Sequence, residues 1–138
     1  MEETNIQYSK PADLHPNLQR FLLAQESTYD TALQEVRNGK KTSHWIWYVF
    51  PQMKGLGYSS NSQYYGIQNR EEAREYINEP ILRARLIEIS EAVLDSNHSV
   101  YEIFGSDAIK VRSCMLLFAS VADDIPVFRK IIDRYSWH

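Results

Sequence analysis

No acidic residue occurs between Glu35 and Glu71, and this interval separates two parts of the chain in which apolar residues recur at helical spacing. The acid-free segment, residues 36–70, carries a formal charge of +5 in a chain whose net charge is −3. It also holds four of the five glycines and seven of the aromatic residues. Glycine favours turns and weakens long helices. The segment is therefore expected to be the main irregular part of a helical protein.

The length of 138 residues indicates one domain with a substantial core. We expect a flexible leader at residues 1–15 and a single helical domain at residues 16–138. No apolar run approaches the roughly 20 residues that a membrane helix needs, and the polar N-terminus does not resemble a secretory signal. A single cysteine excludes an internal disulfide. These features predict a cytoplasmic protein without membrane contact.

The region from Pro16 to Gly39 predicts one long amphipathic helix. Its apolar positions follow helical spacing up to a stop signal at Asn38-Gly39. They are Leu18, Phe21, Leu22, Tyr29, Leu33 and Val36.

The run from His44 to Phe50 fits either a buried strand or a short buried helix that ends before Pro51. Because helices are predicted on both sides and no partner strand is evident, the helix is the better interpretation. Residues 51–68 contain glycines, Pro51 and a serine-rich stretch, which predict an ordered loop.

Helical patterns resume with N-cap signals at Asn69 and Ser99, each followed three residues later by glutamate. Pro80 and Pro126 suit the first positions of further helices. The stretch 114–121 is apolar almost all round, which predicts a central helix. The expected fold is mainly α: a compact single domain of about six helices with an ordered Gly/aromatic loop at residues 51–68.

The acid-free segment suits an anionic, partly planar ligand such as a nucleotide. Cations can meet phosphate, aromatic rings can stack on a base, and glycine lets the backbone approach closely. The cationic candidates are Lys40, Lys41 and Lys54, and Gly55 and Gly57 are the candidate backbone donors beside Lys54. A basic, loop-rich surface whose aromatic residues belong to the core explains the same pattern.

The sequence gives no indication of a metal or a cofactor. The four histidines are not paired at ligand spacing, and Cys114 is the only thiol. Neither a Walker-type phosphate loop nor a dinucleotide-binding glycine motif is present. The acidic pI near 5.8 argues against extended DNA binding.

Three residues are candidates for acid–base chemistry. His44 follows two lysines, which disfavour its protonated form and would leave it available as a base or donor. Asp107 and Lys110 are spaced i, i+3 near the start of a predicted helix, so their side chains can meet. Simpler explanations are a capping or core-edge histidine, and an aspartate stabilised by the helix dipole.

Several motifs together resemble the family known as domain of unknown function 1810. They are Ser-His-Trp-Ile-Trp-Tyr-Val-Phe-Pro-Gln (43–52), Gly-Leu-Gly-Tyr-Ser (55–59), Tyr-Gly-Ile (65–67) and Ile-Phe-Gly (103–105) with Asp107 and Lys110. The resemblance implies a compact, mainly helical, bacterial-type domain of unsettled activity. The calpastatin label of some members has no support here, because the chain lacks repeats and a disordered inhibitor composition. The layout is also distantly similar to the NADAR group of N-glycosidases.

Transferred onto this sequence, the resemblance implies a set of pocket positions. They are His44, Trp45, Trp47, Gln52, Gly55, Gly57, Tyr65, Gly66, Asp107 and Lys110. The family pattern usually continues beyond Trp137-His138, and activity is expected to be reduced if that stretch closes the pocket in relatives.

The resulting hypothesis is a small enzyme, or a binding-only descendant, that recognises a nucleotide- or ADP-ribose-like ligand. The tryptophans at 45 and 47 or Tyr65 would stack on the base, while His44 and Asp107 would cleave an N-glycosidic bond and Lys110 would support the leaving group. If it is an enzyme, it is expected to be a hydrolase. The alternative is a non-catalytic module that docks an acidic protein or an RNA segment.

Overall fold

A computed structural model describes residues 17–138, so the predicted leader lies outside the described part of the chain. Within that part, the secondary structure is helical, and the only β-type pairing is an isolated parallel bridge between Met53 and Ile67. The helices are α1 (Gln19–Glu26), α2 (Tyr29–Arg37), α3 (Ile46–Val49), α4 (Ser60–Tyr64), α5 (Arg70–Asn78), α6 (Pro80–Asp95), α7 (Val100–Phe104), α8 (Ala108–Val121) and α9 (Pro126–Tyr135), with a 3₁₀ turn at Gly105–Asp107. Six of these helices have eight residues or more. The mainly α fold is confirmed.

The prediction of one long helix from Pro16 to Gly39 is wrong, because the chain breaks between α1 and α2. The Thr28 hydroxyl donates to the carbonyl oxygen of Ala24 at 2.6 Å, which offers the backbone an alternative to continued helix. At the start of α2, the Tyr29 hydroxyl lies within hydrogen-bond distance of the Arg85 carbonyl on α6 (3.0 Å) and of the Glu88 carboxylate (2.7 Å). Tertiary contacts thus outweigh the regular spacing of apolar residues.

The predicted helix starts after residue 68 are confirmed. The Asn69 side chain accepts from the backbone N–H of Glu72 at 2.9 Å. Ser99 and Glu102 form a reciprocal capping box at the start of α7. Pro80 is the first residue of α6, and the Glu79 carboxylate accepts from the first free N–H groups of that helix.

The run from His44 to Phe50 forms the short helix α3, so the helical interpretation is confirmed. The loop at residues 51–68 is ordered and contains α4. Its two ends are joined because the Lys54 N–H donates to the Ile67 carbonyl at 2.8 Å and the Ile67 N–H donates to the Gln52 carbonyl at 2.9 Å. The loop thereby returns to its own starting point.

The helix α8 lies in the middle of the packing, against α5, α7 and α9. Cys114 and Phe118 are fully buried on it, whereas Ile109 and Leu116 face solvent. Its N-terminal end follows the 3₁₀ turn, and Lys110 in its first turn lines a space with residues of the loop at residues 51–68. No helix between residues 17 and 138 has both the length and the apolar content to cross a membrane.

Candidate functional site

One narrow cleft brings together five of the residues named from the sequence: Trp47, Gln52, Tyr65, Gly66 and Lys110. Phe50 and Ser62 complete its lining. The lining therefore comes from α3, the loop at residues 51–68 and the first turn of α8. The free space between these side chains is about 10 Å³, close to what one water molecule requires.

A buried ion pair holds the loop side of the cleft. The Arg20 guanidinium donates to both carboxylate oxygens of Glu72, at 2.9 and 3.1 Å. It also donates to the backbone carbonyls of Tyr64 at 2.8 Å and Gly66 at 2.9 Å. Such a fork-like arrangement is specific to arginine. The pair was not anticipated from sequence, and it fixes the position of the chain on both sides of Tyr65.

Close backbone approach explains why position 66 is glycine. A Cβ atom added to Gly66 would lie 2.6 Å from the Cα of Lys54, which is too close for any side chain. The contact belongs to the parallel bridge that joins Met53 to Ile67. Gly66 therefore lets the two ends of the loop pack against each other at the cleft wall.

The Glu35 carboxylate organises the turn that leads into α3. It accepts hydrogen bonds from the N–H groups of Thr42 (2.8 Å) and Ser43 (3.0 Å), from the Ser43 hydroxyl, and from the Trp45 indole N–H (2.9 Å). Burial alone would raise the pKa of this carboxyl, but the hydrogen bonds from Ser43, Thr42 and Trp45 outweigh it and lower the pKa to about 2. Sequence reasoning missed this role, although Glu35 is the last acid before the acid-free segment.

The same contacts place Trp45 in the core, where 1% of the residue is exposed. Its ring packs against Phe50 and Phe104. Trp45 was named as a base-stacking candidate, but in this arrangement its ring faces other side chains. Trp47, which is half-buried at the cleft, is the tryptophan that a ligand can reach.

Asp107 is paired with two lysines. Its carboxylate oxygens lie 3.0 Å from the Lys41 ammonium and 3.2 Å from the Lys110 ammonium. The Lys41 side chain is 9% exposed and its ammonium lies over the Trp45 ring, 5.1 Å from the centroid. Burial alone would raise the pKa of the Asp107 carboxyl, but the ammonium groups of Lys41 and Lys110 outweigh burial and hold this pKa below its usual value. The charge of Lys41 is therefore neutralised by an internal partner.

The other predicted residues do not line the cleft. His44 is exposed, and its imidazole makes no hydrogen bond or ion pair with any residue in the range 17–138. Lys40 and Lys54 are exposed as well. Gly55 adopts a φ of 99° with no atom near its missing Cβ, so it forms an open turn. The structure does not bring His44 to the carboxylate of Asp107.

Tyr65 sits in a cluster of rings at the cleft. Its centroid lies 4.9 Å from that of Tyr64, 5.1 Å from that of Tyr48 and 6.1 Å from that of Phe21. Burial, followed by the neighbouring Tyr64 and Tyr48, raises the pKa of the Tyr65 phenol. The phenol therefore stays protonated near neutral pH and can donate a hydrogen bond.

Three polar groups at the cleft have unused hydrogen-bonding capacity. Within the described part of the chain, the side-chain amide of Gln52, the indole N–H of Trp47 and the phenol of Tyr65 have no hydrogen-bond partner. All three residues are half-buried. By contrast, Ser62 donates to the Ser59 carbonyl and Lys110 is paired with Asp107.

Two larger grooves lie along α6, with volumes of about 360 and 400 Å³. Both are lined by Glu91 and Asp95, and their negative charge is unsuited to an anionic ligand. Among residues 17–138, no three His, Cys, Asp or Glu side chains lie close enough to hold a metal ion. Cys114 is buried, which raises the pKa of its thiol and leaves it unreactive.

Comparison with known proteins identifies the family. The crystal structure of the conserved hypothetical protein Rv1873 from Mycobacterium tuberculosis is similar to this chain, with a TM-score of 0.86 and 38% identity over 89% of this chain and 90% of that one. No curated protein matches the sequence. The family model described as protein of unknown function (DUF1810) matches residues 15–137, so the chain belongs to that family.

Proposed function

We propose that this protein binds a small nucleotide-derived ligand, such as ADP-ribose, at the cleft between α3, the loop at residues 51–68 and α8. The supporting observation is the combination of ring surfaces with unused hydrogen-bonding groups beside one lysine. Apolar clefts with a few convergent polar groups are typical of small-molecule sites. Trp47 and Tyr65 provide the rings, and Gln52 and Lys110 provide polar contacts.

The charge around the cleft favours an anionic ligand. Lys54 is exposed, its backbone lies against Gly66 of the cleft lining, and no acid occurs in residues 36–70 to offset its charge. The open turn at Gly55 leaves backbone groups free to approach a phosphate. On this proposal, the base lies against Trp47 and the phosphates extend towards Lys54.

Binding at this site requires the cleft to widen, because its present free space fits about one water molecule. The loop near Gly55 is the part that can move, since Leu56 is 61% exposed and Tyr58 is 93% exposed. Neither side chain contributes to the core. On ligand binding, we expect this part of the loop to shift while the end near Gly66 stays fixed by Arg20.

Binding is better supported than hydrolysis. An N-glycosidase needs a carboxylate near the anomeric carbon, and Asp107 is a candidate because it pairs with Lys110 of the cleft lining. Each of its oxygens already faces a lysine, at 3.0 and 3.2 Å. His44 is not its partner. Hydrolysis of an N-glycosidic bond would therefore require ligand binding to release Asp107 from Lys41 or Lys110.

Thermal-shift and tryptophan-fluorescence titrations with ADP-ribose and AMP test the proposal. A ligand at a hundred times its dissociation constant should stabilise the wild type by about 2.7 kcal/mol. Lys110→Met should weaken binding about tenfold, whereas Lys130→Met, an exposed lysine on α9, should not. Chromatographic detection of a released base from ADP-ribose derivatives tests hydrolysis. Absence of any shift or fluorescence change would contradict the binding proposal.

The second candidate, a module that docks an acidic protein or RNA, is favoured by one feature. Leu56 and Tyr58 are exposed apolar side chains close to the exposed Lys54. Such a module would bind long polyanions with a steep salt dependence and would show no preference for mononucleotides. Titration with polyuridylate and with polyglutamate at several salt concentrations separates this candidate from the first.

A further inference from the structure

We propose that Gln52 selects the ligand by its base, and that the preferred base carries a hydrogen-bond donor and an acceptor side by side, as adenine does. This inference rests on the proposed function. The inference extends the proposed function by naming the group that recognises the base and the chemical pattern that this group requires.

The main chain holds Gln52 in a defined position. Its carbonyl oxygen accepts the Ile67 N–H at 2.9 Å, within the bridge that closes the loop. It follows Pro51, which is buried and has a restricted backbone. The side chain therefore starts from a fixed point at the cleft, and its loss of freedom on binding is limited to its own rotamers.

The amide of Gln52 differs from the other polar groups of the cleft because it presents a donor and an acceptor on two separate atoms of one planar group. Within residues 17–138 it has no hydrogen-bond partner, although the residue is half-buried beside Trp47 and Tyr65. The indole N–H of Trp47 and the ammonium of Lys110 only donate, and the phenol of Tyr65 donates and accepts through a single oxygen. The amide is thus the group that can make two hydrogen bonds to one edge of a planar base.

The pairing is specific because a primary amide presents oxygen and N–H next to each other. Its complement is an edge with an N–H donor beside a ring-nitrogen acceptor, the pattern by which glutamine pairs with adenine. A base that lacks the donor leaves the amide oxygen without a partner as it becomes enclosed. Sites built to hydrogen-bond a group reject analogues that lack it.

The test compares two nucleotides that differ by one amino group. AMP has the exocyclic donor, and purine ribonucleoside 5′-monophosphate lacks it, while ring, sugar and phosphate are the same. We expect the wild type to bind AMP about tenfold to a hundredfold more tightly by calorimetric titration. Gln52→Leu should bind both nucleotides with the same affinity, near that of the weaker one.

Two variants provide controls. Gln34→Leu removes an exposed glutamine of α2 that does not line the cleft, and it should keep the preference of the wild type. Gln52→Met is a second substitution of similar length, to be used if Gln52→Leu fails to melt cooperatively. Because the Gln52 amide has no partner in the described chain, neither Gln52→Leu nor Gln52→Met should lower thermal stability appreciably.

The outcomes separate this inference from the function on which it rests. Equal affinity of the wild type for the two nucleotides, or an unchanged preference in the Gln52 variants, overturns the inference and leaves ligand binding intact. Binding of ADP-ribose but of neither monophosphate does the same. Failure of the wild type to bind any of the three overturns both.

Discussion

The carboxylate of Asp107 lies 3.0 Å from the ammonium of Lys41, so the turn before α8 is tied to the basic turn before α3. A second contact, 3.2 Å to Lys110, makes Asp107 the internal counter-ion of two lysines beside the cleft. The residue was named from sequence as a candidate acid–base group. Its geometry assigns it an electrostatic role, because it offsets the charge of Lys41 and that of Lys110, which lines the cleft.

Asp107→Asn should tighten the binding of AMP several-fold, because Lys110 in the cleft lining would lose the carboxylate that offsets its charge. The same change should destabilise the fold, since the Lys41 side chain is only 9% exposed and would lose its partner. Calorimetry and urea unfolding measure the two effects. Asp123→Asn, at an exposed position, serves as the control. Weaker AMP binding by the Asp107 variant would contradict this account.

Because of Glu35, the free energy of unfolding should decrease as the pH is lowered. Its pKa is about 2 in the folded chain and near 4.5 in a free carboxyl, so its contribution is present above pH 4.5 and is lost as the pH falls towards 2. The difference corresponds to roughly 3 kcal/mol. Glu35→Gln should be destabilised at pH 7 and should lose part of the decline in stability between pH 4.5 and 2.

Urea unfolding at a series of pH values checks this prediction. Glu75→Gln is the matched control, because Glu75 is exposed and its carboxylate has no hydrogen bond within the described residues. That variant should keep the acid dependence of the wild type. An unchanged pH dependence in Glu35→Gln would show that the hydrogen bonds from Thr42, Ser43 and Trp45 do not bias ionisation.

Gly66→Ala and Gly55→Ala, both in the loop at residues 51–68, should lower the stability of the fold for different physical reasons. Gly66→Ala places a Cβ 2.6 Å from the Cα of Lys54, so the bridge between Met53 and Ile67 must open, at a cost of about 1–3 kcal/mol or more. Gly55→Ala meets no atom within 4 Å but must adopt a φ of 99°, which costs about 1–2 kcal/mol. Urea unfolding gives the stabilities.

The two variants also differ in their expected effect on the cleft. Gly66→Ala should disturb AMP binding, because the bridge positions Gln52 and Tyr65. Gly55→Ala keeps the bridge and changes only the open turn whose backbone is proposed to approach the phosphate, so it should weaken AMP binding to a smaller extent. A stable Gly66→Ala protein with unchanged affinity would show that the close approach to Lys54 is not required.

Local signals were sufficient for much of the helical arrangement. Asn69 and Ser99 cap their helices through backbone groups three residues away, so their effect can be recognised in the sequence itself. The same holds for Pro80 at the start of α6. The break near Thr28 was not recognised, because its hydroxyl contact to Ala24 is available to threonines inside continuous helices as well.

The candidate site, like the helices, could be predicted from the sequence only in part. Charge, rings and glycines gathered in residues 36–70 predicted a ligand site in this segment, and four of the named residues in it line one cleft together with Lys110. The sequence could not show that Trp45 is buried in the core or that Asp107 forms ion pairs with two lysines. Nor could it show that Arg20 and Glu72 pair, because nothing local distinguishes them from other surface charges.

Composition and short-range pattern thus decided that this chain is helical, where most helices begin, and which segment carries the positive charge and the rings. Folding decided which of those groups remain free. Hydrogen bonds and ion pairs between residues far apart in the chain are set by the packing of helices, and a charged or polar group that finds an internal partner is no longer offered to a ligand. Glu35, Lys41 and Trp45 have such internal partners. The amide of Gln52 has none in the part of the chain that the structure describes.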